Sequence, residues 1–77
     1  MNTAAKMLSA MRSNPLDWTI RDLQVIAARH GVSWRDTGGS HCVFIRPDER
    51  TLSVPARRPI KPIYIRKFVE LIDGAHP

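Results

Sequence analysis

The sequence holds a single cysteine, Cys42, in 77 residues, so no disulfide can form within the chain. A domain of this length buries only about 60–65% of the surface that its unfolded chain exposes. Small domains without disulfides often lean on a metal or a partner chain. Apolar runs are short, Val25 to Ala28 being an example, whereas a membrane-spanning helix needs about 20 such residues. The N-terminal stretch offers Lys6 and scattered Ala, Met and Leu, not the apolar centre of a signal peptide. The expected location is therefore the cytoplasm, in keeping with a lone thiol. Cysteine, histidine and acidic residues do not fall at zinc-ligand spacing, and no Walker-type glycine loop is present. No metal and no cofactor is expected. There is no internal repeat and no low-complexity tract, so residues 1–77 are read as one domain.

Twelve Lys and Arg face seven Asp and Glu, for a net charge of +5. That balance points to a polyanionic partner, RNA or DNA, although a charge of this size also serves plain solubility. The hydrophobic fraction of 43% and charged fraction of 25% are those of an ordinary globular domain.

Periodicity predicts the order α-α-β-β-β-α. Over residues 3–12, Ala4, Met7, Leu8 and Met11 share a helix face, and Asn14-Pro15 ends it. Thr19 is a candidate N-cap with Asp22 completing a capping box. Ile20, Leu23, Ile26 and Ala27 then form an apolar stripe that stops at Gly31. His30, in the last turn of that stripe, is expected to be a packed histidine. Strands are expected over 32–36, 40–46 and 51–54, joined by a Thr37-Gly38-Gly39 turn and a polar turn at 47–50. A final helix from Pro62 to about Asp73 buries Tyr64, Ile65, Phe68, Val69, Leu71 and Ile72, with Ile63 on the wrong side and Gly74 as stop. Trp18, placed as a hydrophobic staple, and Trp34 are expected in the core.

Two features bear on chemistry. In Gly38-Gly39-Ser40-His41 a histidine opens a strand after two glycines and a serine. Glycines allow close approach of a phosphate. Histidine has an unperturbed pKa near neutrality and can exchange a proton in the cell. An RNA 2′-hydroxyl needs such a base to attack its own phosphate. The same four residues also make an ordinary turn. The second feature is a basic tract, Arg57, Arg58, Lys61, Arg66 and Lys67, with no acid among it. Such a tract can hold phosphates at the entry of a helix. In the central strand His41, Val43 and Ile45 alternate with Cys42 and Phe44, so both faces are largely apolar. Either a terminal helix wraps the open face or a partner protein covers it. Cys42 is read as a small buried hydrophobe.

The order of these pieces resembles the HicA family of toxins from bacterial toxin–antitoxin pairs. The residues that carry the resemblance are Asp17-Trp18-Thr19-Ile20-Arg21-Asp22-Leu23, His30-Gly31-Val32, Gly38-Gly39-Ser40-His41-Cys42-Val43-Phe44, Val54-Pro55, and Ile60-Lys61 before Tyr64-Ile65-Arg66-Lys67. It covers about residues 15–73, with residues 3–12 as an accessory helix. The resemblance implies a double-stranded-RNA-binding-domain-like α+β fold, a three-stranded antiparallel sheet packed by helices. It implies an mRNA-cleaving endoribonuclease, a histidine at position 41 as the catalytic residue, and neutralisation by a HicB-like antitoxin. The chain departs from the family where Cys42 replaces a second histidine, where Ala56-Arg57-Arg58 follows Val-Pro without a histidine, and where Pro62-Ile63-Tyr64 opens the last helix. These departures imply a divergent subfamily, with activity reduced or lost if a second histidine assists.

The expectation is thus a metal-independent ribonuclease. His41 is its general acid or base, with the RNA 2′-hydroxyl as nucleophile. Gly38, Gly39, Ser40, Arg57, Arg58, Lys61, Arg66 and Lys67 contact RNA. The alternative is a non-catalytic RNA-binding or partner-dependent interaction module on the same fold.

Overall fold

The computed structural model of the chain describes residues 3–37, 39–57 and 59–74. The elements follow the expected order: α1 (Thr3–Ser13), α2 (Ile20–Arg29), β1 (Ser33–Asp36), β2 (His41–Ile45), β3 (Thr51–Pro55) and α3 (Pro62–Asp73). The strands form one open antiparallel meander, β1-β2-β3. This is a small α+β domain, and no helix among the described residues is long and apolar enough to cross a membrane.

Local chemistry sets the element ends. Thr19 Oγ1 accepts from the Asp22 amide at 3.3 Å, and Asp22 Oδ2 accepts from the Thr19 amide at 3.0 Å. Two donors of the first turn of α2 are thereby satisfied. Gly74 ends α3 at φ 72, a left-handed conformation that glycine adopts without a side-chain clash. In the β2–β3 turn, Glu49 takes φ 70 after a tight turn closed by its amide on the Arg46 carbonyl. That is the three-residue hairpin pattern of a turn followed by a left-handed residue.

The register pairs Cys42 with Val54 and Phe44 with Leu52 on one side, and Asp36 with Cys42 on the other. Cys42, Phe44 and Val54 are fully buried beneath the helices, with Leu23 and Ile26 of α2 and Ile65 and Phe68 of α3. Phe44 meets Phe68 edge to face, with ring centroids 5.1 Å apart. Helix α1 inserts Leu8 and Met11 into this core and packs on α2 and α3. Its Arg12 is ion-paired with Asp73 at the end of α3. It is an integral part of the helix layer and leaves the other sheet face uncovered, so the expected option of a wrapping terminal helix does not hold. Ile63 is 55% exposed, as its position on the helix wheel requires.

Two expectations need correction. His30 is exposed, not packed. It is the C-cap of α2, with non-helical φ −100 and ψ 12, so the apolar stripe stops at Ala27. Trp34 is 36% exposed. It lies on an edge strand, where its ring meets Phe44 at a centroid distance of 6.4 Å. Trp18 is half-buried against the core and donates its indole N–H to the Asn14 carbonyl at 2.7 Å.

Arginines of the hairpin clamp the end of α3. Arg46 donates to the Leu71 carbonyl at 2.6 Å, and Arg50 donates to the Gly74 carbonyl at 3.4 Å. Cations at the last carbonyls complement the helix dipole. Asp48 holds both arginines. Hydrogen bonds from the Arg50 side chain and amide, then from Arg46, bring its carboxyl from 3.8 to about 2.

Arg46→Ala is expected to destabilise the fold by about 1–2 kcal/mol, read by urea denaturation, because it removes charge-assisted bonds to partly buried carbonyls. The Asp48 contribution is fully present above its ordinary value of 3.8 and fades as pH falls through about 2. Asp48→Asn should therefore lower stability at pH 6 and shrink its own penalty toward pH 2.

Candidate nucleic-acid site

Strand β2 divides its residues between two environments. Cys42 and Phe44 enter the core, and His41, Val43 and Ile45 stand on the uncovered face. His41 is exposed at the first position of the strand and pairs with Pro55 at the last position of β3. Its carbonyl accepts from the Thr37 amide at 3.1 Å and from the Thr37 hydroxyl at 3.3 Å. The Ser40 carbonyl accepts from the Ala56 amide at 3.0 Å. These bonds fix the backbone on both sides of the histidine.

The side chain is oriented by its neighbour. His41 Nδ1 lies 3.2 Å from Ser40 Oγ. When the ring proton is on Nδ1, it is donated to the hydroxyl, and Nε2 is left as the free base. Gly39, at φ 91, makes the bend that precedes this pair, and a Cβ there would meet no atom within 4 Å. Ordinary residues are disfavoured at Gly39 by the backbone conformation, not by crowding.

His41 opens onto a groove of about 470 Å³. Pro55, Arg57, Pro59, Ile60, Lys61 and Tyr64 line the rest of it. Arg57, Pro59, Ile60 and Lys61, between β3 and α3, build this wall. Ile60 is buried, and its amide donates to the Trp18 carbonyl at 3.3 Å, which anchors the segment against the loop before α2. Lys61 is then the N-cap of α3, with Pro62 in the first turn and no side-chain cap. The positive end of the helix therefore lies beside the two cations. No carboxylate is among the lining residues.

Of the expected residues, His41, Arg57 and Lys61 come together here, with Ser40 bonded to the histidine. Arg66 and Lys67 are exposed on α3 and do not line the groove. Gly38 and Arg58 lie outside the described residues. The sequence pattern puts Tyr64 in the core arc of α3, and the structure adds its place in the groove. The available signal was its position in the first turn, at the margin of that arc. Nothing in the sequence marks Pro55 and Pro59 as walls of a groove.

Cys42 faces away from His41 and contributes nothing to the groove. Burial pushes its thiol up; the Gln24 amide, donating to Sγ at 3.7 Å, opposes this, and the Asp36 charge adds to it. No cluster of three or more potential metal ligands occurs among the described residues. No family model matches the chain, and no curated protein or solved structure is significantly similar to it.

Thiol titration checks the placement of Cys42. In native protein at pH 8 it should react with an aromatic disulfide reagent at least 100-fold more slowly than in urea-unfolded protein.

Proposed function

We propose that the protein is a metal-independent endoribonuclease, the toxin of a toxin–antitoxin pair, on a double-stranded-RNA-binding-domain-like fold of HicA type. The observation that carries this reading is the joint placement of His41, Arg57 and Lys61 around one open groove. A proton-transfer group, a hydroxyl that orients it, and two cations at a helix N-terminus are parts that phosphodiester transesterification can use.

In this mechanism the RNA 2′-oxygen attacks the adjacent phosphorus while His41 Nε2 takes its proton. The bond from phosphorus to the 5′-oxygen breaks. The products are a 2′,3′-cyclic phosphate and a 5′-hydroxyl, whose proton comes from water in the open groove or, through water, from the protonated His41. Arg57 and Lys61 neutralise the non-bridging oxygens as charge grows on them. The chemistry draws on no second histidine, which suits a chain whose position 42 is a buried cysteine. A HicB-like antitoxin would silence the enzyme by covering His41 and the adjoining Val43 and Ile45 face. The substrate in the cell is mRNA, and both partners meet the protein in the cytoplasm.

Long single-stranded RNA incubated with the protein in chelator should be cut, and His41→Ala should lower the rate at least about 100-fold without loss of fold. Arg57→Ala and Lys61→Ala should each reduce the salt slope of RNA binding by about 1. Equal cleavage by wild type and His41→Ala would sink the nuclease reading. Binding without cleavage by either would instead favour an RNA-binding module.

A further inference from the structure

Two cations and a helix N-terminus suffice to hold a phosphate, yet the groove is more than that. Pro55, Pro59, Ile60 and Tyr64 give it an apolar wall. Its volume of about 470 Å³ falls within the range of small-ligand sites, about 300–1,000 Å³. A phosphate alone would leave most of that space empty, and apolar walls offer it nothing. An object with a charged edge and a flat apolar body fits both halves.

Tyr64 supplies a flat face. It is half-buried and packed on the core cluster, one turn ahead of the fully buried Phe68. Pro62 fixes the turn from which it projects. A ring held this way loses little freedom when another ring stacks on it. The neighbouring prolines are equally stiff.

We propose that the groove is a pocket for one unpaired nucleotide, with the base stacked on Tyr64 and its phosphate held by Arg57 and Lys61. This deepens the ribonuclease reading and rests on it for the choice of a nucleic acid. The substrate class follows. In a duplex both faces of a base are covered by neighbours, so only a looped, bulged or single-stranded nucleotide can enter. Tyr64 is thus a specificity residue that selects unpaired RNA and presents its backbone to His41.

The test is an NMR titration of the full chain with adenosine 3′-monophosphate and, separately, with inorganic phosphate. The nucleotide should bind at least ten-fold more tightly and move the Tyr64 ring protons upfield, and phosphate should not move them. Tyr64→Phe should keep this preference. Tyr64→Leu, which keeps apolar bulk without a stacking face, should lose about ten-fold on the nucleotide and nothing on phosphate. A blunt RNA duplex should leave the Tyr64 ring unmoved, and a single strand of the same sequence should move it. Equal affinity for nucleotide and phosphate, an unaffected Tyr64→Leu, an equal response to the duplex, or no binding by either small ligand would each overturn the pocket. The cleavage comparison with His41→Ala is separate. A Tyr64-dependent nucleotide site with uncut RNA would keep the pocket and sink the nuclease. Cleavage lost in His41→Ala but indifferent to Tyr64→Leu would do the reverse.

Discussion

The edge-to-face contact of Phe44 with Phe68 joins the two layers of this domain. Both rings are fully buried, one from the middle strand and one from the middle of α3. Aromatic pairs of this geometry contribute about 0.5–1.5 kcal/mol beyond the area that they bury. Their larger effect is to fix the distance and angle between sheet and helix. Leu23, Ile26, Ile65 and Val54 fill in around them, and α1 closes the helix layer with Leu8 and Met11.

The candidate site is a by-product of that docking. His41 lies three residues before Phe44 on β2, so strand alternation sends it to the opposite face. Tyr64 lies four residues before Phe68 on α3, so helical spacing sets it on the same side, one turn nearer the helix start. Once the two phenylalanines meet, the start of β2 and the start of α3 are brought together. Arg57, Pro59, Ile60 and Lys61 lie between them, and Ile60 is buried in the core. The groove between them is walled by that same connection.

Much of the fold was legible because its signals are local. The Thr19–Asp22 capping box, the stop at Gly74 and the outlying Ile63 each follow from spacing within one element. The turn residues around 37–39 and 47–50 likewise announced a meander. What escaped was whatever depends on a neighbour's position. His30 belongs to the apolar stripe by sequence, but the helix ends beneath it. Trp34 alternates correctly, but its strand is an edge with too little helix above it. Arg57 and Lys61 were visible as charges, yet nothing in a linear tract separates them from Arg66 and Lys67. That separation comes from the first turn of α3, which carries the later pair around to an outer face. Tyr64 was hidden because a wheel projection has no axis along the helix, and so cannot tell a core position from a rim one.

The arginine clamp at the end of α3 alters the meaning of the net charge. Arg12, Arg46 and Arg50 are engaged with carboxylates or terminal carbonyls of the domain itself. They sit where the helix dipole is negative, so part of their charge is offset within the domain. At the opposite end of the same helix, Arg57 and Lys61 add to a positive dipole with no lining carboxylate to offset them. The two ends of α3 therefore differ in local charge, and the groove lies at the positive one. A phosphate brought to that end would meet two cations and the free amides of a helix start together. The reach of such a charged end is set by salt, at about 8–10 Å near physiological ionic strength and further when salt is low.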